Sequence, residues 1–184
     1  MFFNIDTSIF YFINKGCSNR FFDLLMPWVS EFGVWENLLA LGAAFLFFKN
    51  KKVRTFGLLL CLGILLEFFL VSGLKAWIAR PRPVMVLPEV YLLAKTGGFS
   101  FPSGHAACIF LTISLLCSRL KRFYYFYVLA FAVAFSRVYL GVHFPSDVAA
   151  GALLGVVLGL EIAKIGRFID QQEPISWFFH AKKC

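Results

Sequence analysis

From about residue 53 to residue 74 the chain is apolar almost without a break. A run of that length matches the roughly 20 apolar residues a helix needs to cross a bilayer. Lipid offers backbone polar groups no partners, so a spanning segment must be a helix or part of a closed barrel. Four further apolar runs, at about 34–48, 104–118, 123–140 and 145–165, repeat the pattern, separated by short polar breaks and by one long polar loop at 75–101 that is rich in Pro and Gly. The expected fold is therefore all-α, a polytopic membrane helix bundle with about five transmembrane helices.

Composition agrees: 60% of the 184 residues are hydrophobic, 24 are Phe and only 15% are charged, whereas a soluble domain is about 45–50% apolar. One domain accounts for the length. We expect a single membrane-embedded unit over 1–184, with interfacial helices at 1–32, a transmembrane core at 33–168 and a cytoplasmic tail at 169–184. The first segment has apolar pieces too short to span, broken by Asp6, Lys15, Arg20 and Asp23, and suits two amphipathic helices lying on the membrane surface. Those interruptions also argue against a cleavable signal peptide. Gly151, Gly155 and Gly159 in the last run have the small-xxx-small spacing of close helix packing.

The net charge of +8 would suit nucleic acid, but the basic residues lie in short loops beside the apolar runs. Topology signals and anionic headgroups explain them better, and no nucleic-acid partner is expected. Eleven of the eighteen basic residues (Lys49, Lys51, Lys52, Arg54, Arg119, Lys121, Arg122, Lys164, Arg167, Lys182 and Lys183) fall on one side of the predicted bundle. That side is assigned to the cytoplasm. The five cysteines show no paired spacing, and read as small apolar residues. Glu67 lies inside the second run, where an ionisable residue is a functional suspect by default. With no motif around it, a structural hydrogen-bonding role is the preferred reading.

Three polar segments sit at the opposite, non-cytoplasmic ends of the runs. They are Lys75 to Pro83, Phe101 to His105, and Ser136 to Asp147. Ser103 reads as an N-cap, with Gly104 and His105 in the first turn of a helix whose free N–H groups make an anion site. Folding can bring together three cations (Lys75, Arg82, Arg137), that helix start, two histidines (His105, His143) and Asp147. Such a set suits a phosphate group clasped by guanidinium forks. Taken singly, each residue has a plainer reading. Lys75 could snorkel, Ser136 could pack, and Asp147 could serve a helix dipole.

Together these segments resemble the type 2 phosphatidic acid phosphatase superfamily, which includes membrane lipid phosphatases and soluble haloperoxidases. Its signatures Lys-x6-Arg-Pro, Pro-Ser-Gly-His and Ser-Arg-x5-His-x3-Asp match at Lys75 with Arg82-Pro83, at Pro102–His105, and at Ser136-Arg137 with His143 and Asp147. The apolar composition favours the membrane branch. The resemblance implies that His143 is a nucleophile forming a phosphohistidine, with Asp147 holding its other ring nitrogen. His105 would be the general acid and later the base. Lys75, Arg82, Ser103, the Gly104 N–H and Arg137 would hold the phosphoryl oxygens. It implies no metal and no cofactor. Arg80 occupies an unspecified position and is expected only to meet headgroups. The expected partner is a phosphorylated lipid at the outer face of a bacterial inner membrane, with no obligate protein partner. Lipid A 1-phosphate, undecaprenyl pyrophosphate and phosphatidylglycerophosphate are the candidates. A phosphotransferase with the same intermediate, or a non-enzymatic lipid carrier or scramblase, is the alternative. The carrier would not need both histidines and Asp147.

Overall fold

The computed structural model describes residues 2–171, which form helices and loops with no strand among them. Helix α1 (Phe2–Tyr11) runs on through a π-helical turn, Phe12–Gly16, and is followed by α2 (Arg20–Glu31) and α3 (Trp35–Phe45). Then come α4 (Lys51–Ile78), the single turn α5 (Pro83–Val86), and α6 (Gly104–Arg119). A 3-10 segment, Lys121–Phe126, leads into α7 (Tyr127–Tyr139), and α8 (Pro145–Gln171) completes the bundle.

Local chemistry sets several of these limits. The Asn50 side chain accepts from the Lys52 N–H at 2.9 Å and starts α4. Ala79, left-handed at φ 49°, stops it by returning its N–H to the Lys75 carbonyl at 2.9 Å. Pro81 and Pro83 then keep the helix from resuming in register. At 28 residues α4 is about 42 Å long by the 1.5 Å rise of a helix, longer at both ends than the apolar run that announces it. Lys75 thus stands on its last turn rather than in a loop.

Among the described residues, two segments are long and apolar enough to cross a membrane, Lys51–Val86 (which takes in α4 and α5) and Pro145–Ile169, and α6 is a shorter apolar helix. The other expected spans fall on α3, α6 and α7, of 11, 16 and 13 residues. Helix α6 is the core of the bundle. Every residue from Ala106 to Leu115 is buried, against α8 above all and also against α7, α4 and α3. Its apolar character faces protein on all sides. The surrounding helices instead turn large apolar side chains outward, among them Leu62 and Phe69 on α4, Phe131 on α7 and Leu153 on α8. An outside as apolar as the inside is the pattern of a chain whose solvent is lipid.

Gly151, Gly155 and Gly159 of α8 face α6 as their spacing predicts. A Cβ on Gly151, Gly155 or Gly159 would run into the carbonyls of Ser103, Ala107 and Leu111 respectively. The N-terminal helices pack on the end of the bundle that carries the three polar segments. Phe10 and Asn14 are wholly buried. The Asn14 amide donates to the Tyr91 and Tyr139 carbonyls, both at 2.8 Å, and accepts from the Tyr91 N–H at 2.9 Å. Helix α2 lies along α7, pinned where the Tyr139 hydroxyl donates to Asp23 at 2.5 Å. Its outer face leaves Phe21, Leu24 and Trp28 exposed, as an amphipathic helix would. Of the residues counted for orientation, Lys182 and Lys183, with most of the expected tail and Cys184, lie outside the described residues. Cys17, Cys61, Cys108 and Cys117 are free thiols.

Candidate active site

The turn between α7 and α8 presents His143, and the first turn of α8 presents Asp147 beneath it. Both are buried, at 2% and 0% exposure. Gly141, at φ 79°, makes the turn possible by taking a conformation that side chains disfavour. His143 Nδ1 stands 3.6 Å from Asp147 Oδ2, beyond ordinary hydrogen-bond length. Ser100 bridges the gap. Its hydroxyl donates to Asp147 Oδ2 at 2.5 Å and lies 3.5 Å from His143 Nδ1. The same carboxylate oxygen accepts from the Phe144 N–H at 2.8 Å. Burial pushes the His143 imidazole down to about 3 despite Asp147, and the charges of Arg137, Arg82 and Lys75 act with burial. The ring is therefore neutral at ordinary pH. Its Nδ1 faces Ser100 and Asp147, and its Nε2 makes no hydrogen bond to either.

Asp147 has a second partner, and it corrects the expectation for Arg80. That guanidinium bonds Asp147 Oδ1 at 2.6 Å and Asp6 of α1 at 2.7 Å. It donates to the Ser146 hydroxyl at 2.7 Å and lies over the Phe144 ring at 4.2 Å. Arg80 is thus part of the site's framework rather than a headgroup contact. The reason is the short, proline-bounded segment after α4, which turns the side chain back over the start of α8. Asp6 completes the clasp by accepting from both the Ser146 N–H and hydroxyl, at 2.9 and 2.5 Å.

The other signature residues converge on this end of the bundle. The Ser103 N–H donates to the Asp147 carbonyl at 3.0 Å, which joins the starts of α6 and α8. Ser103 is the N-cap residue, yet its hydroxyl caps nothing and is buried with no partner. The first intrahelical bond of α6 is the Ala107 N–H to Ser103, so the Gly104 and His105 N–H groups remain free for an acceptor. Arg137, buried on α7, donates to the Ser30 hydroxyl at 2.5 Å, and its Nε has no partner. Lys75 reaches the Phe99 carbonyl at 2.8 Å. Arg82 is spent mainly on loop architecture, donating to the carbonyls of Gly97, Gly98 and Val142 at 2.8–3.1 Å. Two of its five N–H groups remain for a ligand. His105 lies close enough to Arg137, Arg82 and Lys75 to feel their charge. Ser136 has no share in the site, because its hydroxyl returns to the Val133 carbonyl at 2.7 Å.

The structure therefore gathers Lys75, Arg82, Ser103, Gly104, His105, Arg137, His143 and Asp147 at one end of the bundle, and adds Ser100, Arg80, Asp6 and Ser30. Sequence reasoning missed those four. Only Arg80 carried a signal, its place in the Arg-Pro-Arg-Pro run.

Comparison with known proteins points the same way. The profile described as the PAP2 superfamily matches residues 56–169. The chain belongs to the PAP2 superfamily. Among curated PAP2 relatives, it is 35% identical over 71% of its length to an undecaprenyl-diphosphatase of Sulfolobus acidocaldarius, of which it spans 64%. It is 32% identical over 83% of its length to a lipid A 4'-phosphatase of Bacteroides thetaiotaomicron, spanning 72% of that protein. It is 37% identical over 72% of its length to phosphatidylglycerophosphatase B of Bacillus subtilis, also spanning 72%. Two solved PAP2 structures superpose closely. Aquifex aeolicus LpxE has a TM-score of 0.75 at 32% identity, over 87% of this chain and 95% of that one. The transmembrane phosphatidylglycerolphosphate phosphatase of Bacillus subtilis has a TM-score of 0.73 at 29% identity, over 92% and 88%. The all-α membrane bundle of the PAP2 lipid phosphatases is thus the fold of this chain.

Proposed function

We propose that this protein is an integral membrane phosphatase that removes the terminal phosphate of a lipid monoester or diphosphate through a phosphohistidine on His143. His143 Nε2 attacks phosphorus as the bond to the leaving oxygen breaks, and His105 gives that oxygen its proton. Lys75, Arg82, Ser103, the Gly104 N–H and Arg137 hold the three phosphoryl oxygens and stabilise their charge in the transition state. Asp147, set by Ser100 and Arg80, steadies the imidazolium character that His143 acquires. Water then attacks the phosphohistidine while His105 takes its proton. The P–N bond breaks and free phosphate leaves.

The observation that carries this reading is a pair of buried donors without protein partners, the Ser103 hydroxyl and Arg137 Nε, in the same cluster as a neutral, oriented His143. Buried donors seek acceptors, and a phosphoryl group supplies three. The cations also offer the charge neutralisation that a divalent ion supplies elsewhere, so the reaction proceeds without metal. The names of the relatives support three substrates, a lipid A phosphate, undecaprenyl pyrophosphate and phosphatidylglycerophosphate. The asymmetry of Lys and Arg supports a bacterial inner membrane with the site on the outer side and helices 1–32 at that interface.

The test is phosphate release from these three lipids in detergent, with EDTA present throughout. Release that survives EDTA and is inhibited by vanadate, which mimics the pentacoordinate transition state, is the expected result. Loss of activity in EDTA, restored by a divalent ion, would reject the mechanism.

A further inference from the structure

Glu67 is a buried acidic side chain that the mechanism leaves unused. It sits on α4 at 2% exposure, and its Oε1 has no hydrogen-bond partner. The carboxylate lies against the first turn of α6, since a Cβ built on Gly104 would be 3.9 Å from Oε1. It lines a cavity of about 250 Å³ with His105, Lys75 and Ser72, walled on the apolar side by Trp35 and Phe68. His143 is not part of that lining.

The position relative to the two histidines gives the cavity a meaning. Phosphoryl transfer places the attacking and leaving atoms roughly in line across phosphorus. With His143 attacking, the leaving oxygen emerges on the side of the group that protonates it, His105. The departing alcohol therefore enters the cavity that His105 shares with Glu67. There it meets an acceptor oxygen that lacks a donor, a costly state for a buried group. An alcohol with a hydroxyl or N–H next to its ester oxygen supplies that donor. A second phosphate is all acceptor when ionised and supplies none. The three signatures hold the phosphate and say nothing of the alcohol.

We propose that Glu67 and this cavity form a leaving-group subsite selecting lipids whose alcohol carries a hydrogen-bond donor beside the ester, such as a glycerol or amino-sugar head, over lipid diphosphates. The proposal rests on the phosphatase reading above and refines its substrate class.

The experiment compares kcat/KM of the purified full chain on three lipids in the same detergent. Phosphatidylglycerophosphate leaves an alcohol with a free hydroxyl. Phosphatidic acid of the same acyl chains leaves one without. Farnesyl diphosphate leaves a phosphate. The wild type is expected to prefer the first over each of the others by about tenfold or more, the discrimination a single well-placed hydrogen bond to a substrate hydroxyl supplies at the least. Glu67→Leu is expected to erase that preference. Glu67→Gln, which keeps a carbonyl acceptor, should retain the preference over both phosphatidic acid and the diphosphate. Equal ratios in wild type and Glu67→Leu would overturn the subsite, as would a wild-type preference for the diphosphate. Loss of all three substrates in step with a lowered melting temperature in both variants would make Glu67 a structural residue and overturn it too. No phosphate release from any of the three by the wild type would reject the phosphatase reading itself, and the subsite with it.

Discussion

The two histidines lie in one charge field but differ in their partners. His143 is backed by Ser100 and Asp147, whereas His105 opens on the cavity it shares with Glu67. The difference predicts a split that kinetics can read. His143→Ala should abolish the rapid burst of nitrophenolate from p-nitrophenyl phosphate, because no phosphohistidine forms. His105→Ala should lower turnover of a lipid ester by roughly 10²- to 10⁴-fold, the worth of a general acid, yet reduce that burst far less, since nitrophenolate leaves without a proton. Equal loss of burst in the two variants, both still binding vanadate, would refute the division. The His105→Ala background also isolates the titration of His143. A group held down at about 3 is neutral above that pH and is lost to protonation only as pH falls through it. The burst rate should therefore stay level as pH is lowered from neutral to about 5, and a fall centred near 6.5 would contradict the depressed imidazole. Arg80 tests the framework. Charged hydrogen bonds of the kind it makes to Asp147 are worth about 1.5–3 kcal/mol each. Arg80→Leu should accordingly cost kcat roughly ten- to hundredfold, with Arg80→Lys intermediate. An unchanged kcat would return Arg80 to the headgroup role.

At the scale of the helices, the pairing of α6 with α8 decides the site. Ser103 and His105 stand at the start of one and Asp147 at the start of the other, and the Ser103 N–H to Asp147 carbonyl bond ties the two starts. The pair can approach this closely because Gly151, Gly155 and Gly159 put no Cβ between the axes. Gly155→Leu should force the helices apart. Overpacking costs about 1–3 kcal/mol or more, seen as a lower melting temperature in detergent together with lost activity. Leu153→Ala, on the exposed face of the same helix, should leave both near wild type. If the two substitutions behave alike, the close pairing does not hold the site. The element boundaries show what hydropathy leaves open. Apolar runs predict five spans and do not say that protein encloses α6 on all sides, or that α4 outlasts its run to carry Lys75 at its end.

For the whole molecule, one prediction concerns which way the bundle faces. Val86 is 46% exposed on α5, beside the site. A cysteine there, in a variant without other cysteines, should label with an impermeant thiol reagent in intact spheroplasts. Labelling only after the membrane is broken would reverse the orientation read from Lys and Arg. The N-terminal helices belong to the same end, clasped by Asp6 to Arg80 and Ser146 and by Asn14 to Tyr91 and Tyr139.

The helical class was legible in the sequence, because hydropathy over 20 residues reports the solvent of a segment whatever its neighbours do. So were the family and the convergence of eight residues carried by its signatures, because each signature has fixed local spacing at a helix end, and backbone geometry then presents its side chains together. Tertiary structure decided the rest. The Arg80 to Asp6 ion pair joins residues 74 apart, and Ser100 stands between His143 and Asp147 from a loop 43 residues upstream. Contacts of that kind leave no period in the chain. The cavity of Glu67 depends on α4 lying against the start of α6, and the enclosure of α6 depends on four helices surrounding it. Burial is a property of the assembled bundle, so an apolar residue facing lipid and one facing protein read alike until the helices are packed.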